Sequence, residues 1–181
     1  MHNKLIERLR GCLSTLLYFI NTLFWFVPVL LLGLIKLLLP FKGARRLCNT
    51  LLDGCATHWI GFNNLIQKTI INTPFDVVGV DKGRRNEWYM VIANHQSWVD
   101  ILVLQRIFNQ KIPFLKFFLK KELIWVPFLG LAWWALDFPF MRRYSRKLLE
   151  KRPYLKGQDI ETTRKACAKF RHIPVSVMNF V

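Results

Sequence analysis

From Gly11 to Ile35 the chain runs for 25 consecutive residues without a formal charge. As a helix, a run of that length extends about 37 Å at ~1.5 Å per residue, enough to cross the hydrocarbon of a bilayer. A secretory signal would have an apolar core of only roughly 7–15 residues followed by a small-residue cleavage site. Nothing after Ile35 has that form, so the segment reads as a retained anchor. Pro28 lies within it and removes a backbone hydrogen bond, so a kinked or re-entrant helix competes with a straight span. Basic residues flank both ends, Lys4, Arg8 and Arg10 before the run and Lys36, Lys42, Arg45 and Arg46 after it. Their distribution slightly favours a cytoplasmic C-terminal side.

The net charge of +16 accompanies 52% hydrophobic residues. A strong positive field attracts nucleic acid and anionic lipid alike, because Lys and Arg neutralise the phosphates of both. The apolar N-terminus decides for lipid, and no nucleic-acid recognition motif is present. Cys12, Cys48, Cys55 and Cys167 form neither a C-x-x-C pair nor a zinc-like spacing, and read as free thiols facing a reducing cytosol. His2, His58, His95 and His172 are equally scattered, so no metal is expected.

The 181 residues suit one modest domain plus an anchor. We divide them into an anchor over 1–40, a connecting helix over 41–72 and an α/β domain over 73–181. In the connecting segment Leu47, Leu51, Leu52, Cys55, Trp59 and Ile60 recur near a 3.6 period, as in an amphipathic helix on the anchor or membrane surface, or equally in a core helix. Phe75–Val80 and Trp88–Ala93 read as strands, and Ser97 onward as a helix with Ile101, Leu104 and Phe108 on one face. Phe114–Trp125 reads as a basic, aromatic helix stopped by Pro127. Leu136–Met141 reads as a strand, Asp159–His172 as a helix with a Glu161/Lys165 pair, and Val175–Val181 as a last apolar strand. Strands alternating with helices predict a largely parallel α/β sheet.

The informative string is Asn94-His95-Gln96-Ser97-Trp98-Val99-Asp100. Within one continuous helix, residues five apart are about 140° out of phase, so His95 and Asp100 would not share a face. They meet only if the helix starts between them, and Ser97 is a natural N-cap. Asp100 could then orient the imidazole of His95, whose other nitrogen would take a proton from a hydroxyl nucleophile. Ser97-x-x-Asp100 is also a capping box, which satisfies backbone donors without chemistry. Spacing alone leaves both readings open. The position of His95 behind a strand, where α/β proteins place their sites, favours the catalytic one.

The same string matches the N-H-x-x-x-x-D signature of the lysophospholipid acyltransferase superfamily, and is most similar to bacterial 1-acylglycerol-3-phosphate acyltransferases. Lys120-Lys121-Glu122-Leu123, with Pro127 and Gly130 after it, resembles the segment in which a lysine helps hold the acceptor phosphate. Phe140-Met141-Arg142-Arg143 resembles the second block, F-I-x-R. The resemblance implies an N-terminal membrane helix followed by a glycerolipid acyltransferase-like α/β domain. It implies His95 as base, Asp100 as its orienter, and Lys120 and Arg143 on the acceptor phosphate, with Asn94 and Ser97 as possible orienting residues. The donor would be acyl-CoA or acyl-carrier protein and the acceptor a lysophospholipid at a membrane, with no bound cofactor and no nucleic acid. The implied location is the bacterial inner membrane, catalytic domain on the cytoplasmic side. A non-catalytic membrane-binding fragment, or an acyltransferase for another lysophospholipid, are the competing readings.

In such proteins the strand resembling Val175–Val181 is followed at once by a Glu-Gly-Thr/Ser-Arg block, and this sequence stops at Val181. The expectation is therefore a domain incomplete at its C-terminus, with little activity in the 181-residue form. The uncharged run makes a separate prediction. Membranes carrying the protein should retain it through an alkaline carbonate wash, whereas release of the intact chain would mark residues 11–35 as a buried core helix.

Overall fold

The computed structural model describes every residue except Met1, Thr73, Arg143, Ser145, Lys156 and His172. The uncharged run lies within one continuous helix, α1 (His2–Leu38), which passes through Pro28. Its 37 residues extend about 55 Å. After the short turn at Leu39–Phe41 the chain returns as α2 (Lys42–Ile66), prolonged by a π-helical turn, Gln67–Ile71. Asn72, in a left-handed conformation, closes that turn by donating its N–H to the Gln67 carbonyl.

α1 and α2 pair along a seam that contains polar side chains. Ser14, Asn21, Val29 and Gly33 are the buried positions among the described residues of α1. Asn21 donates to Asn63 Oδ1 at 2.9 Å and to the Trp59 carbonyl at 3.0 Å. A buried amide pair of this kind tolerates only one axial register, because sliding either helix leaves both amides unpaired. α2 turns Leu52, Ala56 and Ile60 inward, so it is both amphipathic and a core helix. The outer face of α1 stays bare: Phe19, Phe24, Val27, Leu31 and Leu38 are exposed.

The sheet comprises β1 (Tyr89–Ala93), β2 (Leu115–Phe117) and β5 (Ser176–Phe180), all parallel, in the order β1-β5-β2. β1 leads into α3 (Val99–Phe108). A two-stranded parallel pair joins β3 (Leu119–Lys120) to β4 (Phe140–Met141). Between them come a 3₁₀ turn over Lys121–Trp125 and α4 (Leu129–Ala135). The short α5 (Arg146–Lys151) and then α6 (Gln158–Phe170) precede β5. The main core brings Val29 of α1, Leu52 and Ala56 of α2, Leu115 and Phe117 of β2, and Met178 of β5 into one cluster with Ala132 and Ala135 of α4.

Two expected elements differ. Phe114–Trp125 is not one helix: Leu115–Phe117 pairs with β5 as a strand buried throughout, Leu119–Lys120 pairs with Phe140–Met141, and only Lys121–Trp125 is helical, as a 3₁₀ turn, because a short apolar run carries no period that tells a buried strand from a helix. Phe75–Val80 is irregular up to a 3₁₀ turn at Val80–Lys82, for it has no strand to pair with. Val78 is exposed, and Phe75 is held instead by the Arg106 guanidinium, 4.3 Å above its ring. Within Leu136–Met141 only Phe140–Met141 is a strand, because Asp137 turns the chain with φ 57°.

That turn fastens α1 to the domain. Lys36 of α1 forms an ion pair with Asp137 and also donates to the Ala135 carbonyl at 3.4 Å. Lys169 of α6 approaches the other oxygen of Asp137 at 3.5 Å. Burial alone would raise the Asp137 carboxyl, but the Lys36 hydrogen bond and charge outweigh it and hold the group below its ordinary value. A carboxyl depressed by folding stabilises fully above its unfolded value of ~3.9 and loses that contribution as pH falls through the lower folded value. Lys36→Met should therefore cost about 1.5–3 kcal/mol, the worth of a hydrogen bond to a charged group. Denaturant melts in detergent at pH 7 check this, and the difference from wild type should shrink below about pH 3.9, where the Asp137 pair is being lost in the wild type as well.

Candidate active site

Parallel strands place their carboxyl ends on one edge, and in an open α/β sheet that edge is where sites form. β1 ends at Ala93 and the next residues are Asn94 and His95. α3 begins at Val99, so His95 lies on the connecting loop while Asp100 belongs to the first helical turn. The break lets the two approach: His95 Nδ1 is 3.3 Å from Asp100 Oδ2. The same Oδ2 accepts from the Gln96 N–H at 2.6 Å and the Ser97 N–H at 2.8 Å. Ser97 Oγ in return accepts from the Val99 N–H at 3.2 Å.

Trp98, not the expected Ser97, stands at the N-cap of α3, with no side-chain cap, so of the expected capping box only the Asp100 half forms. A single carboxylate oxygen closes the start of α3 and faces the imidazole. The backbone N–H groups of Ser97 and Gln96, with His95 adding to them, hold the Asp100 carboxyl below its ordinary value, so it is ionised at neutral pH. An ionised acceptor beside Nδ1 favours the tautomer with the proton on Nδ1. Nε2, across the ring, is then the basic nitrogen. His95 is well exposed and Asp100 less so, and a reactant can reach the pair from solvent.

One neighbour was not legible in the sequence. Phe180, near the end of β5, places its ring 4.2 Å from the His95 ring, tilted by 30°. Behind it Phe117 of β2 stacks on Phe180 at 5.8 Å, and Phe138 stacks on Phe117. The imidazole therefore has a carboxylate at one nitrogen and an aromatic column against its face. Residues 95 and 180 meet only because β5 inserts beside β1 with Ala93 opposite Phe180. The only sequence signal was the apolar character of Val175–Val181.

The remaining expected residues divide. Asn94 is exposed directly after β1, and Ser97 serves the helix start. Lys120 is exposed, in register with Met141, and follows β2 by three residues, so it lies beyond the same sheet edge as His95. Arg143 lies outside the described residues.

Beside the pair, an apolar cavity of about 380 Å³ opens between α1, α2, α3 and the sheet. Trp98, just before α3, and Ile101 of its first turn lie on either side of Asp100 in the chain and line it together with Tyr18, Trp59, Phe117 and Trp133. Its size is that of a small-ligand site.

The Acyltransferase family model matches residues 74–176, more than half of the chain. The chain belongs to the Acyltransferase family. The match begins just before the loop leading to β1 and ends at the first residue of β5, so it spans both His95 and Asp100. Neither the curated proteins nor the solved structures gave a match. Membership makes this an enzyme of acyl transfer, with an acyl donor and a lipid acceptor in general terms, and the long apolar α1 is weak evidence of membrane association.

For an acyltransferase the geometry makes a graded prediction in the intact protein. His95→Ala should abolish turnover. Asp100→Asn should leave a small residue of activity, with kcat reduced about 10⁴-fold, the loss that follows when the carboxylate orienting a catalytic imidazole becomes an amide. Phe180→Leu should lower kcat with little change in KM, and should remove the upfield ring-current shift of the His95 ring protons in NMR spectra. Unchanged turnover in Asp100→Asn, with only a lower melting temperature, would reduce that residue to a helix cap.

Proposed function

We propose that the protein transfers a fatty acyl group from a thioester, acyl-CoA or acyl-carrier protein, to the free hydroxyl of a lysophospholipid, most simply 1-acylglycerol-3-phosphate, giving phosphatidate. The observation that carries the proposal is the adjacency of the His95–Asp100 pair to an apolar cavity whose wall includes residues on either side of Asp100. A polar dyad next to residues that line a cavity of aromatic and aliphatic side chains suits a substrate with a reacting head and a hydrocarbon tail.

In this reading His95 Nε2 accepts the proton of the acceptor hydroxyl as its oxygen attacks the thioester carbonyl. Asp100 stabilises the imidazolium across the ring. The tetrahedral intermediate collapses, the carbon–sulfur bond breaks, and the thiolate leaves with the proton returned from His95. The products are an ester and a free thiol, and the step needs no bound cofactor. Asn94 either orients the loop or donates to the oxyanion. Lys120 and Arg143 hold the acceptor phosphate, a role supported for Lys120 by its exposure beyond the sheet edge that carries His95. The apolar outer face of α1 supports a membrane location, for which we propose the inner membrane of a bacterium with the catalytic domain on the cytoplasmic side.

The test is formation of radiolabelled phosphatidate by membranes carrying the intact protein, with lysophosphatidate set against lysophospholipids bearing other headgroups. Preference for a neutral or zwitterionic headgroup would overturn the choice of acceptor. Arg143→Lys keeps the charge but loses the planar fork suited to bidentate phosphate contact. It should raise KM for the phosphorylated acceptor several-fold while leaving KM for the donor unchanged; a change confined to the donor would move Arg143 to the thioester.

A further inference from the structure

α4 is short, yet it carries an unusual load of aromatic and aliphatic side chains. Gly130, Ala132 and Ala135 are buried, and Leu129 and Trp133 face the cavity. Phe128, Leu131 and Trp134, three residues apart, are exposed. Just before them Trp125, at 84% exposure, is the most exposed tryptophan of the chain's described residues. Within the globular domain large apolar groups left bare at this density mark a contact surface.

The patch is continuous with the bare face of α1. Phe26 of α1 meets Phe128 edge-to-face at 5.3 Å. Two turns further along, Gly33 lies so close to α4 that an added methyl would be 2.6 Å from Ala135 Cβ and 3.7 Å from the Trp134 ring. α4 thus runs alongside the segment of α1 from Phe26 to Gly33 and widens its apolar strip. On the side of Trp125, Lys120 and Lys121 are exposed, accompanied by the single carboxylate of Glu122.

We propose that the Trp125–Trp134 segment is a second bilayer contact, made by the catalytic domain itself, in which Trp125, Phe128, Leu131 and Trp134 enter the interface of an anionic membrane while Lys120 and Lys121 meet its phosphates. Tryptophan favours the headgroup level, where its apolar ring and its N–H are both satisfied. Basic residues beside such a ring add lipid attraction. The bilayer is favoured over a second copy of the chain because the patch extends the face of an apolar helix of membrane-spanning length and has a basic margin that two copies would bring into repulsion. Because α1 is fixed to the domain, two contacts, at α1 and at α4, set the rotation of the whole molecule about the α1 axis, which α1 alone would leave free. The proposal rests on the membrane reading above and deepens it by naming what orients the catalytic edge.

The experiment reconstitutes the full chain in vesicles of phosphatidylglycerol and phosphatidylethanolamine that contain phospholipid brominated near the headgroup. Tryptophan quenching is compared for wild type, Trp125→Phe, Trp134→Phe and Trp88→Phe. Trp88 is also exposed, but belongs to the approach to β1, away from α4. Removing Trp125 or Trp134 should cut the lipid-quenchable emission by a clear fraction, and removing Trp88 should cut only the emission quenched by aqueous iodide. No turnover is needed, so a wrong acceptor in the assay of function leaves this result standing. Equal lipid quenching lost from all three variants, or iodide access to Trp125 in vesicles equal to that of Trp88, would overturn the proposal. So would protection of Trp125 from both quenchers that strengthens with protein-to-lipid ratio, which would make the patch a contact between copies.

Discussion

The cluster around Asp137 holds together three parts of the chain that local structure alone would leave independent. Lys36 comes from the end of α1, Lys169 from α6, and Lys116 reaches across from β2 to donate to the Leu136 carbonyl at 2.8 Å. Two of these lysines thus serve carbonyls at the C-terminus of α4, where unpaired acceptors and the helix dipole both favour cations. Lys116 is nearly enclosed, and burial pushes its ammonium down, while burial pushes the neighbouring Asp53 of α2 up. Each of that pair is driven towards its neutral form by desolvation and towards its charged form by the other. Asp137 can serve as the hub because its backbone takes a left-handed turn, a conformation aspartate tolerates better than most residues.

Fastening α1 in this way has consequences at the other end of the sheet. The close approach of Gly33 to Ala135 sets α4 against α1, and α4 with α1 and α2 encloses the apolar cavity whose opposite wall is α3 and β2. The first turn of α3 contributes both a cavity wall and Asp100. An apolar helix that composition marks as an anchor is therefore also a wall of the candidate site. The Asn21–Asn63 pair fixes the α1–α2 register, and with it which residues of α1, among them Tyr18, face the cavity.

The contact between His95 and Asp100 was legible because its geometry is local. A loop-to-helix break at Ser97 is written in residue type, and the five-residue separation of His95 and Asp100 makes sense only with that break. The helix face of Ile101, Leu104 and Phe108 was legible for the same reason, since periodicity reports which side is buried. Phe114–Trp125 misled because a short apolar run carries no reliable period; what distinguishes strand from helix there is the presence of β5 to receive Leu115–Phe117 in pairing. Phe75–Val80 misled in the opposite sense, with strand-like composition and no partner.

By itself the sequence determined the apolar helix, the parallel α/β character and the closeness of His95 to Asp100, each a consequence of residues within a few positions of one another or of a summed property such as charge. Tertiary structure alone decided that Phe180 backs the His95 ring, that Lys36 closes on Asp137, 101 residues away, and that α1 forms a cavity wall. Those contacts depend on which strands pair and which helices cross. Pairing is settled by the free energy of burying many surfaces at once, and no single segment of the chain carries that information.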